Sequence, residues 1–239
     1  MVYTNGDLVT VEAADIDKEH ANFAIVEYHV YLPNHLQAFI ANNYAPIEID
    51  GLKGGLLVSG SYSNIKIRDV EGDLRVESHF GQVELANVNG DVALLSSFGS
   101  GVISNVTGSL RLRPSFDNYV ITNVLGDLDA DMQNSQLYLN DVSGKSEIKA
   151  QFGQIRCEGL ANETRIETEF ADVYLNLKDV KEGYSISITQ DDGSIKTSLP
   201  IKKEPSGSDS DKYGYKHNDG KYPVDIQTLF ATVNLSISK

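Results

Sequence analysis

The stretch GDLRVESHFGQVELANVN, residues 72–89, is followed at once by GDVALLSSFGSGVISNVT, residues 90–107. The two segments match position by position, and the pattern extends in both directions in steps of 18 residues without insertion or deletion. Counted in this register, eight turns begin at Gln37, Gly55, Asp73, Asp91, Ser109, Asp127, Lys145 and Glu163. A fixed period of this length is typical of a repeat architecture in which each unit stacks on the next.

Apolar residues recur at four positions of the repeat, in two pairs. In the turn that begins at Gly55 they are Leu56 and Val58, followed by Ile65 and Ile67. Apolar residues two positions apart indicate a strand with one buried face. The sequence therefore predicts an all-β fold, a single-stranded parallel β-helix (solenoid) with about 18 residues per turn and two inward-facing strands in each turn.

The hand of the solenoid is predicted to be right-handed, because parallel crossover connections strongly prefer that hand. A left-handed hexapeptide helix also suits an 18-residue turn but needs an apolar residue at every sixth position. That rule fails at Asn64, Gln82, Ser100, Asn118 and Gln154.

Two further columns predict the corners. An aromatic column between the paired strands is interrupted by Asn134, and we expect its rings to stack inside the core, the alternative being a ligand platform; it consists of Tyr44, Tyr62, Phe80, Phe98, Phe116, Phe152 and Phe170. The second corner has Asn or Asp followed by Gly, as in Asn105-Val106-Thr107-Gly108. Asn, Asp and Gly tolerate the left-handed backbone of tight turns, and we expect the Asn and Asp side chains to bond to their own turn.

The chain is predicted to be one solenoid domain, residues 1–239. Residues 1–36, with strands at 8–11 and 24–32, are expected to cap one end, because open sheet edges need protection. Residues 37–180 form the eight regular turns. Residues 184–239 form irregular C-terminal turns that are interrupted by a polar loop, 201–223, which is expected to be mobile and whose tyrosines could contact a partner.

The charge pattern argues against nucleic acid as a partner, since the net charge is −14 and no run of Lys or Arg forms a locally basic segment. No metal, cofactor or catalytic residue is predicted: the five histidines are scattered, Cys157 is alone, and Asp191-Asp192-Gly193 is more typical of a β-turn than of a catalytic pair. No apolar stretch reaches about 18 residues, and Met1-Val2-Tyr3 is unlike a signal peptide. We expect a trimmed chain whose signal or membrane anchor was removed.

One outward column suggests a contact surface. It runs Lys66, Glu84, Val102, Val120, Tyr138, Arg156 and Tyr174, and its apolar members Val102, Val120, Tyr138 and Tyr174 form the predicted partner-contact stripe. The alternative is that β-branched and aromatic residues merely suit strands.

The run Val30-Tyr31-Leu32-Pro33, the turn with Tyr44 and Ile47-Glu48-Ile49, and the Gly-Asp-Leu and Phe-Gly turns at 72–85 resemble a bacterial family of adhesin-like domains of unknown function. The resemblance covers most of the chain. It implies a β-helical, extracytoplasmic or cell-surface domain with no catalytic residues to carry over. The expected function is a non-catalytic cell-envelope module that presents a lateral face to an envelope protein or glycan. The alternatives are a scaffold that self-associates end to end and, less favoured, a carbohydrate-active enzyme.

Overall fold

Equivalent positions of successive 18-residue segments pair with one another in parallel. A computed structural model describes residues 2–5, 8–11, 29–205 and 210–238. Within residues 33–239, which form one compact unit, Leu56 pairs with Leu74 and Leu74 with Val92. The same register joins Leu110, Leu128, Ser146 and Thr164. The predicted parallel β-solenoid with 18-residue turns is confirmed, and its right-handedness stays a prediction.

The first five turns each contain two strands separated by a corner. These strands are β3 (Ala38–Asn43), β4 (Ile47–Asp50), β5 (Leu56–Ser61), β6 (Ile65–Glu71), β7 (Leu74–His79), β8 (Gln82–Asn89), β9 (Val92–Ser97), β10 (Ser100–Val106), β11 (Leu110–Ser115) and β12 (Asn118–Val124). In the next three turns the ladder continues through the corner, which gives β13 (Leu128–Val142), β14 (Ser146–Leu160) and β15 (Thr164–Lys178).

The core lies inside the turns. Leu56, Val58, Ile65 and Ile67 and their equivalents in the following turns are buried, as the alternation predicts. A third inward column follows the second corner and includes Leu52, Val70, Val88, Val106, Val124, Val142 and Leu160. Because strands alternate side chains between faces, the residues between these columns point outward.

The second corner has the predicted left-handed backbone. Asp69, Asn87, Asn105 and Asn123 have φ between 53° and 60°. Their side chains bond to the neighbouring turn and not to their own: Nδ2 of Asn105 donates to Oδ1 of Asn87 at 2.9 Å, and Nδ2 of Asn123 donates to Oδ1 of Asn105 at 2.8 Å. The corner is therefore held by a ladder of amides that runs from turn to turn.

The last two turns do not stack in sequence order. Four strands follow β15, namely β16 (Tyr184–Thr197), β17 (Lys202–Glu204), β18 (Asp211–Lys216) and β19 (Tyr222–Ser238). The C-terminal strand β19 pairs in parallel with β15 on one side and with β16 on the other. The final segment of the chain is thus inserted between two turns that precede it.

The predicted mobile loop over 201–223 is wrong for most of its described residues. Strands β17 and β18 pair antiparallel, and β18 also pairs antiparallel with Ser185–Gln190 of β16. Tyr213, Tyr215 and Tyr222 pack against the core. In β18, Tyr213 and Tyr215 alternate with polar residues or glycine, which is typical of a strand with one buried face. Their rings cover the last turn of the solenoid.

Residues 1–32 form a separate compact unit. It contains the antiparallel pair β1 (Val2–Asn5) and β2 (Leu8–Val11). Of the second predicted strand, residues 24–28 lie outside the described residues, and residues 29–32 form neither helix nor strand. The capping role of residues 1–36 stays a prediction. No helix long and apolar enough to cross a membrane occurs among the described residues.

Candidate functional site

The predicted partner-contact stripe lies on the outer face of the second strand of each turn. Val102 pairs with Val120, and Val120 pairs with Tyr138. Val102 is 50% exposed and Val120 is 42% exposed. The structure thus brings these three residues together in adjacent turns.

Tyr138 and Tyr174 are separated, however, by Arg156, which pairs with both. The Arg156 guanidinium lies over the Tyr138 ring at 5.6 Å from its centre. Glu158 accepts hydrogen bonds from Oη of Tyr138 at 3.1 Å and from Nη2 of Arg156 at 2.8 Å. The hydrogen bond to Glu158 raises the pKa of Tyr138. The contiguous apolar part of the stripe is therefore limited to the two valines.

The aromatic column is on the outside of the solenoid, so the expectation of core packing is wrong. Its members, with Phe230 of β19, are between 44% and 79% exposed. Rings in adjacent turns are stacked with centroids 4.7–5.2 Å apart and interplanar angles of 5–11°, and Asn134 separates a stack of five rings from a stack of three. We call this set the ring ladder: Tyr44, Tyr62, Phe80, Phe98, Phe116, Phe152, Phe170 and Phe230.

The backbone explains why the rings point outward. All eight residues have φ between 52° and 68°, and Asn134 and Asp192 in the same column have φ of 49° and 48°. A left-handed residue interrupts the strand alternation, so a position that would be buried turns to the surface. The following residue then approaches the previous turn closely: a Cβ on Gly81 would lie 2.1 Å from the carbonyl oxygen of Ser63.

Buried polar groups lie on the inner side of this corner and stabilise it by hydrogen bonds. Asp117 is 2% exposed. Its carboxylate accepts hydrogen bonds from Oγ of Ser96 at 2.8 Å and from the backbone N–H of Ser115 at 3.0 Å, and a further one from the N–H of Gly99. These donors satisfy the buried carboxylate and fix the corner between Phe98 and Phe116.

The backbone of this corner does not require an aromatic residue. Left-handed conformation costs a bulky residue about 1–2 kcal/mol. Stacking offsets this cost by about 0.5–1.5 kcal/mol per pair beyond area burial, and burial of roughly half of each ring adds to that. The second corner meets the same backbone requirement with Asn and Asp, and Asn134 and Asp192 meet it within the ladder itself.

The surface beside the ring ladder carries no formal charge over seven consecutive turns. We call this surface the neutral band; its two flanking rows are Asn43, Ser61, His79, Ser97, Ser115, Gln133 and Gln151 on one side, and Pro46, Asn64, Gln82, Ser100, Asn118, Gln136 and Gln154 on the other. In the turns that follow, Asp and Glu enter the rows at Glu169, Asp172 and Asp191. In a chain of which 23% is charged, such a band marks a distinct surface.

The other outward faces are dense in charges, and many of these form pairs. Asp129 accepts from Arg113 at 2.9 Å and from Arg111 at 3.2 Å. The hydrogen bond from Arg113 lowers the pKa of Asp129. A groove of about 660 Å³ runs along this face, between Asp73 and Arg165. Three further carboxylates that line the groove, those of Asp73, Asp91 and Asp127, each accept a hydrogen bond from a backbone N–H of the next turn.

Residues considered for chemistry from the sequence fall into structural positions. Cys157 is buried in the core, and burial raises the pKa of its thiol. Asp192 occupies the ring-ladder corner of the last turn, since its neighbours Asp191 and Gly193 pair with Leu229 and Ala231. Among the described residues, no three His, Cys, Asp or Glu side chains are grouped so that they could hold a metal ion.

Comparison of the chain with protein-family models, with curated proteins and with solved structures finds no match.

Proposed function

We propose that this chain is a non-catalytic, adhesin-like binding module of the cell envelope or cell surface that presents the ring ladder to a protein or glycan partner. The observation that carries the proposal is the exposure of eight rings, in one stack of five and one of three, at positions where the fold accepts Asn or Asp. Contiguous exposed apolar patches of this kind mark interaction sites.

The composition of the neutral band supports a binding role. Interface centres are enriched in aromatic residues and depleted of charged ones, with polar groups around them. The ring edges of the ladder supply the aromatic part, and the flanking Ser, Asn and Gln side chains supply uncharged hydrogen-bond donors and acceptors. Gln136, for example, is exposed beside the ladder.

The net charge of −14 disfavours nucleic acid and strongly anionic polymers as partners. The self-assembling scaffold is less well supported, since β18 covers the edge of Ser185–Gln190 at the last turn. A closed edge opposes end-to-end strand pairing.

The proposal is tested with beads coated with the purified chain, incubated with bacterial cells, isolated cell walls and insoluble neutral polysaccharides. The ladder variant is Phe80→Asn/Phe98→Asn, because Asn134 already adopts this corner. The control is Val102→Ser/Val120→Ser, which removes two exposed apolar side chains from another face.

We expect wild-type beads to bind at least one of these surfaces, the ladder variant to lose that binding, and the control to retain it. Absence of binding by all three proteins, or equal binding by all three, would contradict the proposal.

A further inference from the structure

We propose that the partner of the ring ladder is a second copy of this chain, docked ladder against ladder across a two-fold axis. The inference rests on the proposed function in one respect, since it takes the ring ladder as the binding surface. It adds the identity of the partner.

Charge restricts where two copies can approach. Each copy carries −14, so most faces repel their equivalents at low ionic strength. The neutral band is the exception over seven turns, from Tyr44 to Phe152, because Asp117, the one acidic residue within it, is buried. Two neutral bands placed face to face bring no exposed charges into contact.

The repeat of the ladder favours a copy of itself over other polymers. The ring spacing of 4.7–5.2 Å follows the separation of adjacent turns. A second solenoid has the same spacing, so each ring edge of one copy meets the same furrow between two rings of the other. The interplanar angles of 5–11° keep the rings nearly parallel from turn to turn. A partner with a different repeat loses this register after a few turns.

The area is sufficient for a stable dimer. An aromatic side chain presents about 150–250 Å², and the ladder rings are roughly half exposed, so each contributes about 100 Å². The six rings of the neutral band then supply about 600 Å², and the flanking amides and hydroxyls bring each copy to the roughly 800 Å² of a standard interface. A two-fold contact is closed, so the expected product is a dimer and not a filament.

Sedimentation equilibrium of the full chain, from submicromolar to about 100 μM, tests the inference. We expect a reversible dimer that Phe80→Asn/Phe98→Asn weakens by on the order of 100-fold, since four rings leave the interface. Val102→Ser/Val120→Ser should leave the dissociation constant unchanged. Higher salt should tighten the dimer, because it screens the repulsion between like-charged copies while the contact itself holds no ion pair.

A second variant keeps the test decisive if the double substitution unfolds. Phe98→Asp places a charge at a corner that Asp192 shows to be compatible with Asp, and it should abolish the dimer while circular dichroism and the melting temperature show a folded protein. A monomer at every concentration, a dimer that the ladder variants do not weaken, a dimer weakened by salt, or open filaments would each overturn the inference.

Different results would contradict the proposed function and the proposed dimer. A monomer whose ladder still binds cells or polysaccharide keeps the proposed function and removes the second copy as its partner. A ladder-dependent dimer that binds no envelope surface keeps the inference and removes the envelope role.

Discussion

Gly101 and Tyr119 occupy the same buried column in adjacent turns. Elsewhere this column contains aliphatic residues such as Ile65, Val83 and Leu137. A Cβ on Gly101 would lie 2.2 Å from Cε1 of Tyr119, so the tyrosine ring fills the volume that the missing side chain leaves. The two departures from the repeat compensate each other.

Replacing both residues by valine should therefore destabilise the protein less than the sum of the two single replacements. Gly101→Val should lower the free energy of unfolding by about 1–3 kcal/mol through overpacking, and Tyr119→Val by about 3 kcal/mol through a cavity. The double variant should be less destabilised than the sum by at least about 1 kcal/mol. Urea denaturation of the four proteins measures this coupling, and additive losses would contradict it.

At the residue scale, the sequence predicts the inward columns but not the side on which the aromatic column lies. The alternation through Leu56, Val58 and Gly60 would place Tyr62 inside if the strand continued. The left-handed φ at Tyr62 reverses it, and propensity disfavours that conformation for an aromatic residue. Asn134 is the feature of the sequence that indicates an outward position for the column, because an Asn within a stack of buried rings would leave its amide unbonded.

At the scale of the element, the corner that follows each Asn or Asp depends on close approach of neighbouring backbones. A Cβ on Gly90 would lie 2.3 Å from the carbonyl oxygen of Gly72. Gly55, one position further along the repeat, has no neighbour closer than 3.8 Å. Adjacent glycine positions thus have different constraints.

We expect Gly90→Ala to cost more than about 3 kcal/mol of stability, because backbone atoms cannot yield as a flexible side chain does. Gly55→Ala, as its matched control, should change stability by less than about 0.5 kcal/mol. Thermal melts of the two variants make the comparison. Similar losses of stability in both variants would show that the corner relaxes and that the close backbone contact does not determine the cost of the substitution.

Strand positions in the regular turns followed from the 18-residue period, whereas the elements after residue 180 did not. Polar residues over 201–223 predicted a loop, but Tyr213 and Tyr215 alternate with polar residues in β18 and pack on the core. A short strand whose pairing partner is distant in sequence gives no local period. The order of β16 and β19 has the same cause, since both resemble a turn and pairing alone decides which is nearer to β15.

At the scale of the whole molecule, stability should vary along the stack, because each turn is stabilised mainly by its nearest neighbours. Inward residues Ala38, Ile40 and Ile49 of the first turn are only half-buried, whereas their equivalents Leu74 and Val76 two turns later are buried. The ends of such an array open before its middle.

Native-state hydrogen exchange should therefore show amides of β3 and β4 exchanging at least about tenfold faster than those of β9 to β12. Mass spectrometry of peptides from the two regions measures the ratio. Uniform protection from Ala38 to Val124 would indicate one cooperative block and contradict nearest-neighbour behaviour.

The insertion of β19 between β15 and β16 has a consequence for the order of assembly. As the chain is synthesised, turns through Lys178 can stack as they emerge, but the place beside β15 belongs to the last 17-residue strand, Tyr222–Ser238. Residues 184–216 cannot take up their final pairing before that segment is synthesised, because β16 pairs with β19 and β18 pairs with β16. The C-terminal strand thus completes the stack. A chain cut short before Tyr222 would leave the edges of β15 and β16 that pair with β19 without their partner.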